Sequence, residues 1–164
     1  MNKKLNIYLS VLLLGSTLFI GACKKDKEEE TVTEPEPTPV VTPSLYTRLG
    51  GVSAISAVTD KFLSNVAGDA AINARFAATV ADPYRLQLLR NNLIDQICAG
   101  SGGPCQYKGK TMLAAHTGMN ITTAEFNALV GDLVAALDFY SVPTTEKNEL
   151  LAVLGPMQTD IVGH

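Results

Sequence analysis

The sequence predicts an all-α domain from about Leu45 onward, and three observations carry that expectation. Apolar residues recur at helical spacing almost throughout, helix-starting residues stand where the stripes begin, and no stretch alternates as a sheet strand would. About 120 residues are enough chain for one domain with a single core.

Ile55, Val58, Phe62 and Val66 fall three and four apart, which predicts one apolar face on a helix ending near Gly68. Asp82 and Pro83 form an N-cap and first-turn pair. Leu86, Leu89, Leu93 and Ile97 then stripe a second helix to about Cys98, where a glycine cluster stops it. Thr122 with Glu125 spells a capping box, and Phe126, Leu129, Val130, Leu133, Val134 and Leu137 give the broadest apolar face in the chain. Ser141-Val142-Pro143 marks a turn. The last helix presents Leu150, Leu154, Met157 and Ile161, with Pro156 expected to kink it by removing one backbone hydrogen bond. Four substantial helices result. Between Gly100 and Ile121 the pattern is loose, with only a brief apolar turn around Met112 and Leu113, and a free-standing bundle would gain little from such a segment.

The front of the chain has a different character. Residues 1 to 22 read as an export signal: Asn2-Lys3-Lys4 is basic, Leu5 to Ile20 is mostly apolar, and small residues precede Cys23. Ile20-Gly21-Ala22-Cys23 resembles a bacterial lipobox, which implies a lipid on Cys23 and a cell-envelope lipoprotein, facing the periplasm or displayed on the surface. An uncleaved anchor or an ordinary signal is the alternative, and either still exports the domain. Residues 23 to 44 are rich in Lys, Glu and Pro, with too little apolar surface to offset chain entropy, and read as an extended tether.

Charge and cysteines narrow the function classes. Without Lys3 and Lys4 the chain keeps 11 basic against 16 acidic side chains, so there is no basic excess for nucleic acid. With Cys23 assigned to the lipid, Cys98 and Cys105 remain, as a disulfide in an oxidising compartment or as two buried thiols. No Cys-x-x-Cys-His stands in the chain, so covalent c-type haem attachment is not indicated. One interior histidine cannot build a Ser-His-Asp triad or a zinc-type cluster, which leaves a hydrolase without support. That histidine, His116, precedes a capped and strongly apolar helix, where an imidazole can ligate a metal or haem iron.

The residues around it carry a resemblance. Gly102-Gly103-Pro104, Gln106-Tyr107-Lys108-Gly109-Lys110 and Ala114-Ala115-His116-Thr117-Gly118 resemble the proximal segment of the group I truncated haemoglobins. Tyr46-Thr47-Arg48-Leu49-Gly50-Gly51 looks like that family's opening turn and glycine pair, Phe76 stands where its haem-stacking phenylalanine is expected, and Gly155-Pro156 lies in the final helix as in relatives. The resemblance spans about Ser44 to Val162. It implies a two-over-two helical sandwich over residues 45 to 164, holding non-covalent haem b with His116 on the iron.

Carried across residue by residue, the resemblance implies that Phe76 stacks on the porphyrin edge. Met112, Ala115, Ile121, Phe126, Leu129, Leu150 and Leu154 would form the proximal and rear walls, and Leu63, Leu86, Arg90 and Leu93 the distal side. Many relatives carry a tyrosine one residue after a phenylalanine on the second helix, as donor to bound dioxygen; here Leu63 follows Phe62. Arg90 falls where the next helix often has glutamine, and either points inward as a charged donor or turns outward to a propionate or solvent. Tyr84 and Gln87 are reserve donors. The function so implied is reversible binding of dioxygen or another small gas at the envelope, with nitric oxide dioxygenase-type activity in doubt because the tyrosine is missing. The reductase it would need stays unidentified. The alternative is a tethered helical lipoprotein that binds a partner or an apolar molecule without haem.

Overall fold

The computed structural model describes residues 42–164; the expected export signal, Cys23 and nearly all of the tether lie outside them. Among the described residues the regular structure is helical. It comprises α1 (Leu45–Arg48), α2 (Gly51–Gly68), α3 (Asn73–Val80), α4 (Pro83–Gly100), α5 (Met112–His116), α6 (Thr123–Phe139), α7 (Thr144–Leu154) and α8 (Gln158–Ile161), with a 3-10 turn at Gly155–Met157.

The helix ends follow local chemistry. Ser44 caps α1 by accepting from the Thr47 amide at 3.3 Å. Gly50 and Gly51 then take φ of +91° and +72°, a left-handed bend that side chains rarely adopt, which turns the chain straight from α1 into α2. The Asp82 side chain accepts from the Tyr84 and Arg85 amides, with Pro83 in the first turn of α4. Thr122 and Glu125 close both halves of a capping box on α6. Pro156 interrupts the last helix as expected, though as a 3-10 turn that separates α7 from the short α8.

The core is where the stripes meet. Ile55, Val58, Thr59, Phe62 and Val66 of α2 are buried with Ile94, Ile97 and Cys98 of α4, Leu133, Ala136 and Leu137 of α6, and Leu150 of α7. Thr59 belongs there because its hydroxyl donates to the Ile55 carbonyl at 2.8 Å, so no polar atom is stranded. Helix α2 packs on both α4 and α6, and α4 meets α7, which sets the pair α2/α4 against the pair α6/α7. This is the two-over-two arrangement. Helix α3 is an element the periodicity did not predict. It buries no side chain fully, and it lies along α4 and α2.

The stretch between α4 and α5 is held by covalent and steric means. Cys98 and Cys105 are bonded, with their Cα atoms 5.7 Å apart. A Cβ on Gly103 would lie 2.8 Å from the Cys98 carbonyl oxygen, so only glycine lets the loop pass that closely. Tyr107 donates to the Lys110 carbonyl at 2.8 Å, and its ring leaves Gly109 no room for a side chain. Burial raises the Tyr107 hydroxyl above its usual pKa, which keeps it a donor.

Candidate functional site

His116 is the last residue of α5, a helix of one turn whose start is capped by the Thr111 hydroxyl on the Ala114 amide at 3.2 Å. Its Nδ1 lies 2.7 Å from the Met112 carbonyl oxygen, one turn back. A carbonyl can only accept, so the proton sits on Nδ1 and the Nε2 lone pair is left free for a ligand. The ring is half-buried.

Main-chain bonds fix the segment after the histidine. Gly118 turns the chain with φ of +84°, and the Met119 amide donates to the His116 carbonyl at 3.0 Å. Ile121 then pairs with Val162 in an isolated parallel bridge, with the Gly163 amide 2.9 Å from the Ile121 carbonyl oxygen and the Asn120 amide 2.5 Å from that of His164. The residues after α8 therefore brace this turn, and α8 packs on α5.

Several helices carry apolar side chains that are neither buried nor free. Phe76 of α3, Leu63 of α2, Leu86 and Leu93 of α4, Met112 of α5, Phe126 and Leu129 of α6 and Leu154 of α7 are all half-buried. Of these, Leu63, Phe76, Leu93, Leu129 and Leu154 also pack against the buried core. Half-buried apolar side chains on several helices, and one imidazole offering a lone pair, are residue types that suit a flat apolar macrocycle with one protein ligand. Among the described residues, no group of three His, Cys, Asp or Glu could hold a bare metal ion.

Not every expected wall residue lines this region. Ala115 is exposed. Leu150 is only 1% exposed and belongs to the central core, where it borders a small apolar cavity with Leu49, Ile55, Val58, Ile97, Leu137 and Val142. Ile121 is buried under the bridge to Val162.

The polar residues expected on the distal side are turned away. Arg90 Nε lies 2.5 Å from Asp60 Oδ1 and Nη2 lies 2.8 Å from Oδ2, a two-pronged pair on the outside of α2 and α4. The carboxylate draws the guanidinium outward, the second of the two orientations expected for it, with Asp60 as the partner in place of a propionate or solvent. Their hydrogen bond lowers the Asp60 pKa, against a smaller opposing effect of burial, and raises that of Arg90. Tyr84 is 75% exposed, and Gln87 donates to Asn91 at 2.7 Å on the surface, so neither serves in reserve. Leu63 and Leu86, expected beside Arg90, are half-buried.

Two polar features near the site were not anticipated. Gln96 Nε2 lies 3.4 Å from the Met112 sulfur and 3.2 Å from that of Met157, which ties α4 to the base of the histidine helix. Arg75 pairs with Glu125 and also donates to the Met119 carbonyl. The sequence signal for the second was an arginine beside Phe76 and a carboxylate already committed to a capping box.

The bacterial-like globin family model matches residues 44–162. The chain belongs to the bacterial-like globins. Relatives of this globin include the group 1 truncated hemoglobin of Tetrahymena pyriformis, 32% identical over 120 residues that span 73% of this chain and 95% of that one. Another, from Mycolicibacterium paratuberculosis, is 30% identical over 72% of this chain and 83% of its own. Among solved structures, the Fe(III) form of the Tetrahymena pyriformis protein superimposes with a TM-score of 0.68 at 29% identity, over 74% of this chain and 100% of that one. The 2/2 hemoglobin of Synechococcus sp. PCC 7002, whose heme is covalently attached, gives 0.66 at 26% identity over 73% and 98%. As a globin, this chain has a fold built around haem.

Proposed function

We propose that this globin domain binds haem b non-covalently through His116 Nε2 and reversibly holds dioxygen or another small gas at the cell envelope. The observation that carries the reading is the 2.7 Å bond from His116 Nδ1 to the Met112 carbonyl, which points the free lone pair out of α5. When bound at His116, haem would supply an iron centre able to take up a small gas.

The chain's own residues supply the rest. The carbonyl of Met112 fixes the imidazole tautomer and raises its basicity, as outer partners of ligating histidines do. Phe76, Leu93, Phe126, Leu129 and Leu154, all half-buried, would offer the macrocycle apolar surface and keep water from it. The two cysteines of the domain are bonded to each other, in keeping with a cofactor held without a thioether. Leu63 and Leu86 offer no hydrogen bond to a gas, so the reading favours free exchange of ligand over the oxygen-steadying step that nitric oxide detoxification requires. A Cys23 lipid and the tether of residues 23 to 44 would hold this domain at a membrane surface.

The experiment is a haemin titration of the purified protein, followed by absorption spectra of its ferric, ferrous and carbonmonoxy forms. A Soret band that saturates at one haem per chain and shifts with carbon monoxide supports the reading. A protein that stays colourless leaves a tethered helical module that binds something other than haem.

A further inference from the structure

Arg75 stands next to Phe76 on α3, but its side chain leaves that helix and grips the segment after His116. Its Nε lies 2.7 Å from Glu125 Oε1 and its Nη2 3.1 Å from Oε2, while Nη1 donates to the Met119 carbonyl at 2.8 Å. All three nitrogens of the guanidinium are thus used at once, in the planar fork that only arginine provides.

The far side of this grip is itself held. Glu125 Oε2 accepts from the Thr122 amide at 2.8 Å and from its hydroxyl at 2.9 Å, and Met119 is tied back to His116 through the 3.0 Å amide bond. A continuous run of polar contacts therefore joins the helix carrying Phe76 to the turn carrying His116.

The near side needs it. Helix α3 has no fully buried residue, so hydrophobic packing holds it less firmly than its neighbours α2 and α4. Among the described residues no other α3 side chain hydrogen-bonds to the segment from Met112 to Glu125.

We propose that Arg75 is a positioning residue whose hold on Glu125 and on the Met119 carbonyl latches α3 to the His116 segment, closing the crevice beside Phe76 and slowing haem escape. The inference rests on the reading that haem lies between Phe76 and His116.

The test measures transfer of ferric haem from the full-length holoprotein to excess apomyoglobin, alongside amide hydrogen exchange of the same samples. Arg75→Gln and Glu125→Gln should each speed haem loss about two- to fivefold, the range that loss of an exposed ion pair supports. The double variant should lose haem little faster than either single one, because both break one latch. Glutamine at 125 can keep the capping box, so α6 retains its start. Amide exchange should quicken in residues 73–80 and 117–121 and stay unchanged in α2 and α6.

Haem loss at the wild-type rate in both single variants overturns the latch, as does exchange that quickens uniformly through the domain. If wild-type protein takes up no haem, the functional reading fails and the latch with it. If wild-type protein binds haem and the variants lose it no faster, the latch alone fails.

Discussion

Arg90 and Asp60 hold each other across the outside of α2 and α4, with side chains 30% and 54% exposed and two hydrogen bonds between them. This pair sets what Arg90 can do in the proposed haem site. A guanidinium committed to a carboxylate is not available to a gas ligand, and on the proposed reading the leucines at 63 and 86 would face that ligand instead.

Arg90→Leu should leave the dioxygen dissociation rate of the ferrous protein within about twofold of wild type, while costing about 0.2–1 kcal/mol in denaturant unfolding, as exposed pairs do. Flash photolysis and urea titration check the two halves. A several-fold faster release would put Arg90 back among the groups that touch the ligand.

Leu63→Tyr should slow dioxygen dissociation about fivefold, since a hydrogen bond worth about 1 kcal/mol would be added to the bound state only. Stopped-flow replacement by carbon monoxide reads the rate. An unaltered rate would show that position 63 does not face the gas.

The Arg75–Glu125 pair predicts a response to acid. The Arg75 guanidinium, then the Thr122 amide and hydroxyl, hold the Glu125 carboxyl down to about 2. A carboxylate whose folded pKa is depressed stabilises the fold above its ordinary value near 4.5 and ceases to do so as pH falls towards about 2. Urea midpoints of wild type should therefore drop more over that range than those of Glu125→Gln. Equal drops would mean that the ion pair does not form in solution.

The Cys98–Cys105 bond closes a short ring, with a sequence separation of 7. Loop-closure entropy for a ring of that size gives about 2.5 kcal/mol, less than for longer loops. Reduction, or Cys98→Ser with Cys105→Ser, should lower unfolding free energy by about 2 kcal/mol while the domain remains folded. Mass spectrometry of unreduced peptides identifies the bond directly, and two free thiols in protein made in an oxidising compartment would contradict it.

The four long helices were legible because each carries a repeated apolar face and a capping signal or turn at its start; Asp82-Pro83 and Thr122-Glu125 act within a few residues of chain. Helix α3 was not, because it is only eight residues long, with a stripe of just Phe76 and Val80 after the N-cap Ile72, and no side chain of it is fully buried. His116 stood out as the one imidazole inside the domain, and family resemblance supplied the apolar partners around it. What the sequence did not carry was orientation. Arg90 turns out to Asp60, thirty positions away, and Leu150 sinks into the central core, because both outcomes depend on tertiary neighbours that helical spacing leaves undetermined. Gln96 reaches the sulfurs of Met112 and Met157 for the same reason. The main-chain bridge between Ile121 and Val162 joins residues with no shared local pattern.

The central claim is that the Nε2 lone pair of His116 is the protein's bond to haem, and a cavity variant tests it most directly. His116→Gly, purified with haem and titrated with imidazole, should lose the wild-type ferrous spectrum and regain it as imidazole fills the space left by the side chain. A variant whose ferric, ferrous and carbonmonoxy spectra match wild type without imidazole would contradict the account.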